Sequence, residues 1–94
     1  MDTGQIIAIL RKRKELSQAE LAKLTNITQA SLSHIESGKK LPRKSTIEKI
    51  CTSLGIPSKL FFLLTLTEKD LPDESKEKFS MIEKDLKDLI MNTF

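Results

Sequence analysis

The stretch Ser17–Lys39, SQAELAKLTNITQASLSHIESGK, decides how this 94-residue chain folds. Ser17 is a good N-cap and Glu20 stands three residues further on, a capping box that starts a helix. That helix is expected to end near Thr25. Asn26 follows it, one of the few non-glycine residues that tolerate the left-handed conformation at a helix end. Thr28 then caps a second helix from about Gln29 to Ser37, and Gly38 stops it. The product is two short helices joined by a turn of about three or four residues.

Outward from this pair, the rest of the chain also reads as helix. No run alternates apolar and polar residues with the β-branched enrichment of a strand. Helix 1 spans about residues 3 to 14, with Ile6, Ile7 and Leu10 inward. Its last turn, Arg11 to Lys14, is a basic run that also suits the helix dipole. Helix 4 starts near Ser45, with Ile47, Ile50, Cys51 and Leu54 at helical spacing, and Gly55 ends it. Helix 5 starts after Ser58 and carries KLFFLLTL, apolar on every side, so something must cover part of it. A charged, Pro-containing connection from Glu68 to Glu74 leads to a long amphipathic helix. There Phe79, Ile82, Leu86 and Leu89, with Ile90, form one apolar stripe about two heptads long, too short to define a coiled coil. The fold expected is all-α.

Composition limits the function. Four Phe are the only aromatic residues, and no apolar run approaches the roughly 18–20 residues needed to cross a bilayer. No basic region precedes the apolar residues of MDTGQIIAIL, so it does not read as a signal peptide. A lone Cys51 excludes an intramolecular disulfide or a Cys-rich metal site and suits a reducing cytoplasm. It reads as a small core residue. The net charge of +3 conceals an asymmetry. Residues 1–66 carry 11 Lys/Arg against 5 Asp/Glu (+6), and residues 67–94 carry 5 Lys against 8 Asp/Glu (−3). Basic surface around a helix-turn-helix unit is the electrostatic footprint of a DNA binder, although charge by itself is weak support.

The segments LSQAELA (Leu16–Ala22) and ITQASLSHIESGK (Ile27–Lys39), then Pro42 and the LGI beginning at Leu54, closely resemble the Cro/cI-type (XRE-like) helix-turn-helix family. The similarity runs from about Ile7 to Leu60. It implies a five-helix, lambda-repressor-like DNA-binding domain over residues 1–66, usually a two-fold dimer that docks its third helix in the major groove. Residues 67–94 would add a linker and a C-terminal amphipathic helix for dimerisation or packing. Two positions depart from the common pattern. Glu15 stands where a Gly often ends helix 1, which implies a different helix end or some strain. Asn26 stands where a Gly often makes the turn.

Periodicity sorts helix 3. Leu32 and Ile35 point inward with Ile27, while Gln29, Ala30, Ser33 and His34 lie opposite, with Ser31 between. These short or neutral side chains suit contact with base edges deep in a groove. Gln29 is the leading base reader, since Gln can bond adenine N6 and N7 together. By the resemblance, Gln18 reaches a phosphate and braces Gln29, and Thr28 is a further phosphate contact. Lys39, Lys40, Arg43 and Lys44 look like sequence-independent phosphate contacts, and each of them also reads as an ordinary solvated cation. Also by the resemblance, Arg11 and Glu36 form a structural ion pair between helices 1 and 3. His34 has no metal-ligand spacing around it, and no nucleophile, phosphate loop or acid–base pair suggests catalysis or a cofactor.

The expected function is therefore a sequence-specific transcriptional regulator, most often a repressor, binding double-stranded DNA at a palindromic operator as a homodimer in the cytoplasm. A restriction–modification controller, an antitoxin whose last helix binds a toxin, and a protein–protein adaptor on the same fold are the alternatives. The dimer or packing surface expected comprises Phe61, Phe62, Phe79, Ile82, Leu86, Leu89 and Ile90. Their competing role is to fold the last helix back over helix 5 within one chain, and a protein partner at the C-terminal helix is the further possibility.

Overall fold

The computed structural model describes residues 2–94. Among them every regular element is helical: α1 (Thr3–Arg13), α2 (Gln18–Thr25), α3 (Gln29–Glu36), α4 (Lys44–Leu54), α5 (Ser58–Thr65), a 3-10 turn (Glu68–Asp70) and α6 (Asp73–Thr93). The fold is all-α, five short helices followed by one long one.

Caps punctuate the first half. In α1 the Asp2 carboxylate accepts from Gln5 N–H at 2.8 Å while Asp2 N–H donates to Gln5 Oε1 at 3.1 Å. In α2 the Ser17 hydroxyl oxygen accepts from Glu20 N–H and Ser17 N–H donates to the Glu20 carboxylate, both at 3.0 Å. That donation from Ser17 holds the Glu20 carboxyl below its usual value, because it favours the charged form. Two helix starts differ from the expected ones. Ser45 and Ser58 lie inside helices that begin at Lys44 and at Ser58 itself, after Arg43 and Pro57, without a side-chain cap bond. Burial of Ile47 and Ile50, and of Phe61 and Leu64, sets those helices instead.

Four helices close by the same device. A residue one or two places after the helix takes the left-handed conformation, and two backbone N–H groups then reach back to the last free carbonyls. Gly38 (φ +81°) does this after α3 and Gly55 (φ +72°) after α4, where the conformation costs glycine little. After α2 it is Asn26 (φ +57°), and after α1 it is Glu15 (φ +58°). Glu15 N–H donates to Lys12 O at 3.0 Å and Leu16 N–H to Arg11 O at 3.1 Å, so helix 1 keeps the ordinary ending with a strained residue in it.

The core runs through all six α-helices. Ile6, Ile7 and Leu10 of α1 meet Leu21 and Ala22 of α2, Leu32 and Ile35 of α3, Ile50, Cys51 and Leu54 of α4, and Phe61 and Leu64 of α5. Burial pushes the Cys51 thiol up to about 11, with the Glu48 charge adding to it, so this cysteine is an inert packing group. Ile90 and Met91 of α6 join the same cluster, with Leu86 and Phe94 packed on its edge. Lys87 fastens α6 down: its Nζ donates to Leu66 O, at the open end of α5, and to Glu83 Oε2, both at 2.7 Å.

The predicted apolar stripe of α6 is therefore divided. Phe79 and Ile90 are buried and Leu86 is half-buried, whereas Ile82 (56% exposed) and Leu89 (65%) face outward with Met81. The reason is helical phase. Positions 79, 83, 86, 87 and 90 gather on one face at 3.6 residues per turn, whereas 82 and 89 fall together on one margin of it, where nothing covers them. Helix 5 is divided likewise, with Phe61 and Leu64 inside and Phe62 and Leu63 on the surface.

Candidate nucleic-acid interface

Helix α3 is the element around which the site is built. Thr28 caps it, its Oγ1 accepting from Ser31 N–H at 3.0 Å, which leaves the hydroxyl proton free for an outside acceptor. Leu32 and Ile35 bury one side completely, and this anchors the helix by its back. On the other side Gln29, Ala30 and His34 are exposed, with Ser33 half-buried beside them and Ser31 half-buried on the flank. No Asp, Glu, Lys or Arg side chain lies on that outward face, because Glu36 is turned away.

Glu36 sits in a four-membered network that holds α3 at its C-terminal end. Arg11 Nε donates to Glu36 Oε2 at 2.7 Å and Arg11 Nη2 to Oε1 at 3.0 Å, a bidentate pair. Arg11 Nη1 also donates to Leu16 O at 2.8 Å, in the turn between α1 and α2. Both side chains are about nine-tenths buried. Gln18, at the first position of α2, donates its amide Nε2 to Glu36 Oε1 at 3.1 Å. The amide that the resemblance assigned to bracing Gln29 is thus engaged with Glu36, and the network links α1, α2 and α3. Among the described residues no buried side-chain N or O lacks a partner.

The approach of α1 to α3 rests on a residue that pattern reading passed over. A Cβ on Gly4 would lie 2.3 Å from Ile35 O and 2.7 Å from Glu36 O, so only glycine fits there. Its one sequence signal is a Gly inside a helix, where it costs roughly 1 kcal/mol against Ala and calls for a packing reason.

Beyond α3 the chain turns at Gly38, and the N–H groups of Lys39 and Lys40 both donate to His34 O, at 2.9 and 3.2 Å. Lys39, Lys40, Arg43 and Lys44 are all exposed. Lys40 differs from the others in having its Nζ 3.1 Å from Ser31 Oγ, across nine residues. Ser31, Lys40, Arg43 and Thr46 line a shallow cleft beside α3. Leu41, 86% exposed within this basic segment, is a second residue the pattern did not single out. The arrangement is chemically suited to a polyanion with hydrogen-bonding edges: neutral groups in the middle and cations along the rim. Among the described residues no cluster of His, Cys, Asp and Glu could hold a metal ion, and no helix is long and apolar enough to cross a membrane.

Comparison with known proteins agrees with a helix-turn-helix fold. The family described as helix-turn-helix matches residues 7–61. The HTH-type transcriptional repressor RghR of Bacillus subtilis is 32% identical over 94% of this chain and 71% of its own length. The immunity repressor protein of Bacillus phage phi105 is 38% identical over 60% of this chain and 39% of its own length. An uncharacterized HTH-type transcriptional regulator of Mycobacterium tuberculosis is 39% identical over 57% of this chain, which spans about a fifth (21%) of that relative's length.

Proposed function

We propose that this chain, which belongs to the helix-turn-helix family matched by its residues 7–61, is a transcriptional repressor that binds a palindromic operator as a homodimer with α3 in the major groove. The observation that carries the reading is the outward face of α3. Gln29 opens it, Ala30, Ser33 and His34 continue it, and the charge that would oppose DNA, Glu36, is neutralised by Arg11 behind it.

In this reading Gln29 bonds a base edge, Ala30 packs on a thymine methyl, and Ser33 and His34 contact neighbouring bases. Gln18 and Thr28, at the starts of α2 and α3, meet phosphates with the help of free backbone N–H groups. Lys39, Arg43 and Lys44 contribute sequence-independent affinity by displacing counterions. One domain covers one half-site, and a two-fold pair reads two half-sites about one helical turn apart. The exposed Met81, Ile82 and Leu89 of α6 and Phe62 and Leu63 of α5 support such pairing, because apolar surface of this kind gains by being covered. Repression follows from occupancy of a site that overlaps a promoter, in keeping with the names of two of the relatives.

The test is selection of bound duplexes from a random library, with wild type and Gln29→Ala in parallel. Wild type is expected to enrich a palindrome with half-sites about 10 bp apart. Gln29→Ala is expected to relax one symmetric position by about 1–3 kcal/mol. Absence of any enriched motif at low salt refutes the reading.

A further inference from the structure

We propose that Lys40 is a specificity-determining residue that reads a guanine edge from the flank of α3 together with Ser31. This rests on the repressor reading, and it separates Lys40 from the phosphate-contacting cations around it. The turn at Gly38 (φ +81°) and the two N–H bonds to His34 O fold the chain back along α3. The Lys40 side chain runs with it, and its Nζ lies 3.1 Å from Ser31 Oγ, in the N-terminal half of α3 with Gln29 and Ala30. A phosphate contact needs a cation reaching outward to the wall of the groove. Lys40 is instead drawn against the helix that enters the groove.

The hydrogen-bond inventory then selects the base. An ammonium carries three donors, and Ser31 occupies one, leaving two. Ser31 Oγ, which accepts from Lys40, keeps its own O–H as a further donor on the same flank. The pair is rich in donors, and among the base edges of the major groove guanine alone offers two adjacent acceptors, O6 and N7. Adenine N6 and cytosine N4 would set donor against donor. Glu36, held by Arg11 on the inner side, places no carboxylate in the path of these donors.

The experiment compares wild type, Lys40→Met, Ser31→Ala and Lys39→Met in the same random-duplex selection. Each is then titrated on the selected duplex and on one carrying 7-deazaguanine, which lacks the N7 acceptor, at the selected guanine. Circular dichroism melts confirm that each variant is folded, as expected for side chains on the surface. Lys40→Met and Ser31→Ala are expected to lose preference at the same symmetric guanine by about 5- to 100-fold. Wild type is expected to lose affinity for the 7-deaza duplex, and Lys40→Met to bind both duplexes alike. Lys39→Met is expected to weaken all sequences equally. If Lys40→Met also weakens all sequences equally and leaves the motif intact, Lys40 is a phosphate contact and the proposal is overturned. A wild-type motif with no guanine sensitive to Lys40 overturns it as well. A wild type that selects no motif at all refutes the repressor reading, and this proposal with it.

Discussion

Changing Arg11 to Met removes a guanidinium that makes three hydrogen bonds in a site where both charges are nine-tenths buried. Glu36 would keep only the Gln18 amide, and Leu16 O would lose its donor. Stranding a buried charge in this way costs about 3–5 kcal/mol. A 94-residue domain has roughly 5–14 kcal/mol of stability in total, so the variant is expected to lose a large part of it. At about 4–8 °C per kcal/mol for a domain of this size, Tm falls by about 12–40 °C. The double variant Arg11→Met/Glu36→Leu removes the orphaned charge and leaves two weaker losses, the Leu16 carbonyl and the Gln18 amide. It is expected to recover about 2 kcal/mol relative to the sum of the single changes. Urea denaturation followed by circular dichroism, run as a double-mutant cycle over wild type, both singles and the double, measures this. A loss below about 1 kcal/mol for Arg11→Met would show that water screens the pair and that the network does not hold α3. Strict additivity across the cycle would likewise refute direct coupling.

Gly4→Ala places a methyl 2.3 Å from Ile35 O, so the backbones of α1 and α3 must separate; a loss of about 2–3 kcal/mol in the same urea assay is expected, where a surface alanine would stabilise the helix. Glu15→Gly relieves a left-handed non-glycine residue and is expected to raise stability by about 0.5–1 kcal/mol, with DNA affinity unchanged in a fluorescence titration. Ile82→Glu/Leu89→Glu, on the outward side of α6, is expected to leave the monomer's Tm within a few degrees. The same variant should abolish the proposed dimer in sedimentation and reduce affinity for a two-half-site duplex far more than for a single half-site.

How far the sequence carries differs by element. Helices α2 and α3 and their ends are legible because local chemistry decides them: Ser17 with Glu20, Thr28 with Ser31, and Asn26 and Gly38 after them. The outward residues of α3 follow from period alone, since Leu32 and Ile35 leave only one way for that helix to face. The starts of α4 and α5 were displaced because buried side chains override a nearby Ser whose cap is worth about 1 kcal/mol. Gly4 is not legible in the pattern of α1 because its requirement comes from the backbone of another helix.

By itself, then, the chain determines an all-helical domain with an uncharged outward face on α3 and basic residues beside it, because both are written in spacing and residue type along single helices. Tertiary structure alone decided which side of α6 is inside, that Gln18 binds Glu36, and that Lys40 lies against Ser31. Each of these depends on groups well apart in the chain meeting at hydrogen-bond or packing distance, 9 residues for Lys40 and Ser31, 18 for Gln18 and Glu36 and 21 for Lys87 and Leu66, and periodicity within one helix has no access to the phase of its neighbours.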